Sequence, residues 1–286
     1  MDTEQMQADF AYCKTIIKQH SKSFYYAFSQ LPLEKANAVY AIYAFCRTAD
    51  DCADSSQPHT EKLESLQRLK QELDLFRDRA EADHPLWRAL RRVFTDYEMD
   101  IQPFYDQLTG QLMDLNFSIP KTMDELESYS YYVAGSVGLM LLPILASKPS
   151  AGLRPSVIEL GIAMQITNIL RDVGEDFHKK QRIYLPEEEM KRFQYTQADL
   201  YHGHINENFV NLWERLAKHA ESLYDQFYRS IHLFDMDSRL PLSLSAGVYR
   251  GILDAVRGND YDCISMRNYI SKEKMTKIRA AIGTCS

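Results

Sequence analysis

Residues 156–177, S-V-I-E-L-G-I-A-M-Q-I-T-N-I-L-R-D-V-G-E-D-F, constrain this chain more than any other stretch. Ser156 followed by Glu159 has the spacing of a capping box and predicts a helix that starts there. The body is apolar on nearly every side (Val157, Ile158, Leu160, Ile162, Met164, Ile166, Ile169, Leu170), which predicts burial all round. Polar groups interrupt it on a schedule. At about 100° per residue, Gly161, Gln165, Asn168, Asp172 and Asp176 fall within about 80° of one another. A buried helix carrying two amides and two carboxylates along one stripe holds acids where water is scarce. Such charges require a partner of opposite sign or a bound cation.

The rest of the sequence sets the frame for that helix. A chain of 286 residues allows one large domain or two small ones, and 45% hydrophobic residues supply a core. Only 11 Gly and 10 Pro punctuate it, which favours helices over a turn-rich β fold. There is no fixed-period repeat and no strand signal. The weakest joints, residues 55–59, 148–155 and Gly203, are short enough to be interhelical loops. The expected fold is all-α, one domain over residues 1–286. A net charge of −7 gives no electrostatic footprint for nucleic acid. Cys13, Cys46, Cys52, Cys263 and Cys285 are scattered without a C-x-x-C pair, as in a reduced cytoplasmic protein. The polar N-terminus is no signal peptide, and the longest apolar run, residues 137–146, is too short to cross a bilayer. A soluble protein is expected, at most peripheral to a membrane.

A first helix is expected over residues 4–20, ending at His20-Ser21-Lys22-Ser23. Donors clustered at a helix boundary suit an oxyanion, and an ordinary cap with a solvated lysine suits the pattern equally. Pro32 opens a helix over residues 33–54, on which Tyr43, Arg47, Asp50 and Asp54 share a stripe with Asp51 to one side. Two carboxylates four apart repel, the more so at a helix C-terminus whose dipole favours cations. Such a pair is a solvated helix end unless a divalent ion bridges it. Further helices are expected over residues 60–79, 86–97, 101–116 and 123–146, the last opened by Thr122 and Glu125. Glu81-x-x-His84 resembles half a di-iron motif, but Pro85 follows and no second copy exists. Gly135 and Gly138 inside a helix each cost about 1 kcal/mol against alanine, so a backbone or a ligand should approach closely there, although core packing explains the small residues equally well, and Tyr129 alone adds a polar tip to that face. The basic run His178, Lys179, Lys180, Arg182 either closes over a phosphate or is an exposed loop. Thr196 with Asp199 starts another helix, and the remainder to about residue 283, with Tyr249, Arg250, Arg257 and Arg267, is expected to be helical.

Asp50/Asp54 and Asp172/Asp176 are therefore two i,i+4 acid pairs, each closing an otherwise apolar helix. Facing one another, they would hold hard divalent cations with oxygen ligands only, which suits Mg²⁺ completed by substrate phosphates. Lys22, Arg47, Arg171 and Arg267 would neutralise the remaining phosphate charge, and apolar helix faces would take a greasy tail.

The motifs H-S-K-S-F (20–24), Y-A-I-Y-A-F-C-R-x-A-D-D-x-x-D (40–54), Y-x-x-x-V-A-G-x-V-G (129–138), Q-I-T-N-I-L-R-D-V-G-E-D (165–176) and R-I-Y-L-P (182–186) resemble the squalene/phytoene synthase family. The resemblance implies an isoprenoid-synthase helical bundle with a central cavity. It implies Mg²⁺, two or three ions, on Asp50, Asp54, Asn168, Asp172 and Asp176, and prenyl diphosphate contacts from His20, Ser21, Lys22, Ser23, Tyr43, Arg47, Gln165, Arg171, Tyr249 and Arg267. The implied reaction joins two prenyl diphosphates head to head through a cyclopropylcarbinyl diphosphate. Tyr43, Arg47, Tyr129 and Arg171 are the expected catalytic groups, the tyrosines aiding the second ionisation or steering proton loss. Phe24 and Phe28, four apart, would floor the tail pocket and favour C15 over C20 substrates, or simply pack the core. The expected product is dehydrosqualene, formed without NADPH and passed to a membrane or a desaturase. Phytoene or squalene synthesis, farnesol release from farnesyl diphosphate, and a helical interaction protein with solvated acid pairs are the alternatives. Nothing in the sequence specifies an oligomeric state.

Overall fold

A computed structural model describes residues 3–148 and 150–283; Pro149, within the expected 148–155 joint, and Cys285 lie outside the described residues. In chain order the helices are α1 (Thr3–His20), α2 (Lys22–Phe28), α3 (Leu33–Asp54), α4 (His59–Arg77), α5 (Pro85–Asp96), α6 (Gln102–Leu115), α7 (Met123–Ser130), α8 (Ser136–Leu145), α9 (Leu153–Arg171), α10 (Val173–Lys180), α11 (Glu187–Arg192), α12 (Gln197–Tyr201), α13 (Glu207–Ser230), α14 (Met236–Arg257) and α15 (Lys272–Gly283). A π turn, Tyr131–Gly135, joins α7 to α8. Among the described residues there is no strand, and the fold is all-α.

Two helices form the centre. α3 packs on α1, α4, α5, α6 and α8, while α9 packs on α7, α8, α13 and α14. Their small and aliphatic residues, Ala41, Ala44 and Ala49 on α3 and Ala163, Ile166 and Leu170 on α9, are almost wholly buried. Both helices end at the same pole, so the acid motifs that close them meet. At that pole Trp213 Nε1 donates to the Leu170 carbonyl at 3.0 Å, satisfying one of the carbonyls a helix end leaves open.

Local signals placed most boundaries. Thr122 accepts from Glu125 N–H at 3.2 Å, and Thr196 with Asp199 makes a complete capping box. His84 caps α5 through Leu86 N–H while Glu81 pairs with Arg91, so neither belongs to a metal motif.

Four expectations fail. First, α9 begins at Leu153, three residues early; Ser156 is buried one turn in and its hydroxyl meets that of Ser230. Pro155 sits in the first turn, where proline is tolerated, so nothing stops the helix there. Secondly, the 156–177 helix is not continuous. It breaks at Asp172 (φ −108°, ψ 15°), and Gly174 N–H donates to the Cys263 carbonyl at 3.0 Å. A Cβ at Gly174 would overlap the Ile264 carbonyl oxygen, so the kink is set by a segment far along the chain. Thirdly, that segment, residues 258–271, is irregular rather than helical, with Asp260 and Tyr261 at φ 50° and 61°. Arg267 projects from it. Fourthly, the 123–146 helix carries the π turn; the close backbone approach expected at its glycines is found. A Cβ on Gly161 would lie 2.5 Å from the Ala134 carbonyl oxygen, and one on Gly138 2.5 Å from that of Val157.

Met123–Leu145 taken through the π turn is 23 residues long, and an 18-residue window within it has mean hydropathy 1.3, long and apolar enough by length and composition to cross a bilayer. Half of that window is buried inside the protein, and the segment packs on α3, α6 and α9, as a core helix of a bundle does. Cys13, Cys46 and Cys263 are buried thiols and Cys52 is half-buried; all four are free.

Candidate active site

A cavity of about 720 Å³ lies between α2, α3, α6, α8, α9 and α14, and every candidate metal-binding, diphosphate-binding and catalytic residue implied by the family resemblance lines it. One end is polar. His20 ends α1, and Ser21 caps α2 by accepting from Phe24 N–H at 3.3 Å, leaving its own O–H free to donate. Lys22 and Ser23 follow on the same rim.

From α3 come Tyr43, Arg47, Asp50 and Asp54. Arg47 pairs with Asp51 rather than with the stripe, and its Nε is buried without a partner. Asp50 accepts from Gln111 Nε2 at 2.6 Å. Burial, then the neighbouring carboxylates of Asp54, Asp114 and Asp51, push its pKa up to about 7 against the pull of Arg47. Burial and its neighbours Tyr249 and Asp50 also carry the Tyr43 phenol above the ordinary range.

The α9–α10 junction supplies the other wall. Asn168 and Gln165 are adjacent, their amides 3.5 Å apart. Asp172, at the break, is held by Arg171 through Nε at 2.7 Å and Nη2 at 2.5 Å, and by Arg267 Nε at 3.1 Å. Two residues expected to meet phosphate are therefore joined to one expected to meet metal. Asp176 is pushed up to about 6 by burial and by Asp172, opposed by Lys180. Lys180 Nζ stands 3.5 Å from Asp176 and 3.9 Å from Asp54.

The basic run after α10 divides. His178 and Lys179 are exposed and Lys179 pairs with Glu175. Arg182 is no phosphate flap: Nη1 lies 3.4 Å from Asp114 Oδ2 and Nη2 donates to the Asp114 carbonyl at 2.8 Å. Asp114 also accepts from Tyr129 at 2.9 Å and Tyr184 at 2.8 Å, the two rings stacking 5.1 Å apart. Burial raises the Asp114 carboxyl despite these donors. Sequence reading missed Gln107, Gln111 and Asp114. Their i, i+4, i+7 spacing marks one face of α6 and was the available signal.

The oxygen-rich set fits a hard divalent cation. Carboxylates from two helices are gathered around one ammonium, which occupies the kind of position a cation would take. Among the described residues no three such side chains already close on a single point.

The profile of the squalene/phytoene synthase family matches residues 17–274. The chain belongs to the squalene/phytoene synthase family. It is a prenyltransferase of that family, 36% identical over 278 residues to a 4,4'-diapophytoene synthase from Staphylococcus haemolyticus, covering 96% of this chain and 95% of the other. A 15-cis-phytoene synthase from Synechocystis sp. is 35% identical over 274 residues, covering 92% and 80%. Among solved structures, a dehydrosqualene synthase in complex with ligand is 44% identical with TM-score 0.92, over 99% of this chain and 98% of that one. A squalene synthase from Alicyclobacillus acidocaldarius shares the fold, with TM-score 0.83 at 23% identity over 91% and 97%.

Away from the acids, the cavity of this squalene/phytoene synthase family member is apolar. Phe24 and Phe28 pack with ring centroids 4.8 Å apart and planes tilted by 48°, and Phe24 reaches Tyr43 at 6.2 Å and Tyr249 at 6.4 Å. Leu141, Leu145, Val157 and Leu160 also line it.

Proposed function

We propose that this chain condenses two farnesyl diphosphates head to head into dehydrosqualene (4,4'-diapophytoene), releasing two diphosphates, with residues 1–286 acting as one catalytic domain. The observation that carries the reading is a single cavity with facing acid pairs and anion-binding donors at one end and apolar walls beyond them. Pockets of this volume take large ligands, and the apolar walls reward burial of prenyl chains.

Asp50, Asp54, Asn168, Asp172 and Asp176 would hold two or three Mg²⁺, which when bound supply electrostatic stabilisation of the departing diphosphate. His20, Ser21, Lys22, Ser23, Gln165, Tyr249 and Arg267 bind and orient the diphosphates, and the unpartnered Nε of Arg47 is a ready donor. Arg171 holds Asp172 in place and offers its guanidinium to phosphate oxygens. The apolar walls exclude water from the allylic cation, so that the second substrate's double bond captures it. Phe24 and Phe28 floor the tail pocket and set its depth for a C15 chain. Tyr129, with its hydroxyl proton directed at Asp114, is oriented to steer the second ionisation and the final proton loss, as Tyr43 is from α3. No reductant is needed to reach a product with three conjugated central double bonds. The apolar product then passes to a membrane, against which the protein works peripherally from the cytoplasm, or to a desaturase.

Purified protein with farnesyl diphosphate and Mg²⁺, without NADPH, should release a C30 hydrocarbon with a conjugated-triene absorbance. Farnesol as the sole product, or turnover of geranylgeranyl diphosphate alone to phytoene, refutes the proposal.

A further inference from the structure

Lys180 is the last residue of α10, and its position is built by the chain around it. Gln181 takes the left-handed conformation (φ 55°), and Arg182 N–H donates back to the Asp176 carbonyl at 3.0 Å, an arrangement that seals a helix end. The Arg182 side chain is then fixed on Asp114, so the chain cannot drift away from the site. The result is an ammonium set between the two acid motifs, 3.5 Å from Asp176 Oδ1 and 3.9 Å from Asp54 Oδ2. Among the described residues, no other lysine or arginine is paired with a carboxylate of both motifs.

The two contacts differ from the others in the site. Arg171 grips Asp172 with two hydrogen bonds, at 2.7 and 2.5 Å. Lys180 makes longer ion pairs from a side chain 39% exposed. A lysine is a point charge on a flexible four-carbon stem, able to exchange partners without moving backbone. An ammonium that neutralises two crowded carboxylates stabilises them as they stand, and a divalent cation seeking the same oxygens must displace it.

We propose that Lys180 holds the place of a divalent cation between Asp54 and Asp176 and is handed to the diphosphate when metal and diphosphate enter together. This inference rests on the reading of those carboxylates as metal-binding. A cation arriving alone displaces the ammonium into water, with no new anion to meet it. When diphosphate arrives as well, the displaced ammonium gains a charge-assisted partner. Metal and diphosphate therefore favour each other's binding through Lys180, and the coupling is reciprocal. Metal loading is in this way tied to the presence of substrate.

The test is titration calorimetry on the full chain with Mg²⁺ alone, with inorganic pyrophosphate alone, and with Mg²⁺ at fixed pyrophosphate, using calculated free concentrations. Wild type, Lys180→Gln and Lys180→Arg are compared. Lys180→Gln should bind Mg²⁺ alone about tenfold more tightly than wild type, and the factor by which pyrophosphate improves Mg²⁺ affinity should fall about tenfold, within the usual span of coupling between sites. Lys180→Arg keeps the charge and should retain most of the coupling. A Lys180→Gln variant whose affinity for Mg²⁺ alone is unchanged or weaker, while wild type binds Mg²⁺ with pyrophosphate, overturns this inference and leaves the function standing. A wild type that binds no Mg²⁺ even with pyrophosphate overturns both. Far-ultraviolet circular dichroism of each variant separates these outcomes from misfolding.

Discussion

Gln111 Nε2 donates to Asp50 Oδ1 at 2.6 Å, and this contact joins the first acid motif to the π turn. Gln107, one turn before, completes the link. With its amide oriented by the surrounding donors and acceptors, it donates to the Tyr132 and Val133 carbonyls at 3.1 Å each and accepts from Gln111 at 3.2 Å. A π turn displaces carbonyls from the helical ladder, and here a buried amide relay takes them up and ends on a carboxylate.

Gln111→Leu removes a hydrogen bond that favours the ionised form of Asp50, so its pKa should rise. Bonds to charged groups contribute about 1.5–3 kcal/mol. The acidic limb of the kcat pH profile should move up by about one to two units, with KM for farnesyl diphosphate less affected. An unshifted profile would show that the contact does not position the acid.

Asp50 and Asp176 give the ligand-free protein a defined pH dependence. Both folded-state pKa values, about 7 and about 6, lie above the ordinary 3.8. The native state then binds more protons than the unfolded chain, so stability present near pH 4 is lost as pH rises through 6 and 7. The melting temperature should fall between about pH 4 and about pH 7. Mg²⁺ with pyrophosphate should remove most of that fall, and Mg²⁺ affinity should rise with pH by up to about tenfold per unit for each acid that must ionise. Scanning calorimetry across the window decides it, and a rising melting temperature would contradict the assignment.

Gly161→Ala should destabilise the fold without touching the acids. Its Cβ would meet Ala134 and Gly135 backbone at 2.5–2.6 Å, where no side chain can yield. Overpacking of this kind costs about 1–3 kcal/mol, or about 2–4 °C of melting temperature per kcal/mol for a chain of this size. A denaturant midpoint equal to wild type would show that α9 and the π turn can separate freely.

Phe28→Ala tests the floor of the tail pocket. Phe28 is 1% exposed and packs against Phe24, so its loss opens space at the apolar end while costing about 3–5 kcal/mol of stability. Relative kcat/KM for geranylgeranyl over farnesyl diphosphate should rise about tenfold or more, within what one hydrophobic contact can discriminate. An unchanged ratio with intact folding would assign Phe28 to packing alone.

The sequence by itself determined the helical class and the two acid stripes. Spacing of four residues, scarce glycine and proline, and capping pairs such as Thr196 with Asp199 are local properties that survive any tertiary arrangement. It did not determine the break at Asp172, which follows from Ile264 pressing on Gly174, nor the purpose of Gly161, which is spent on Ala134. Nor could spacing show that Arg171 and Arg267 share Asp172, that Arg182 leaves the phosphate end for Asp114, or that Lys180 stands between Asp54 and Asp176. Those partnerships are made between segments distant in the chain, and a charge acquires its partner only when packing brings the two together out of water.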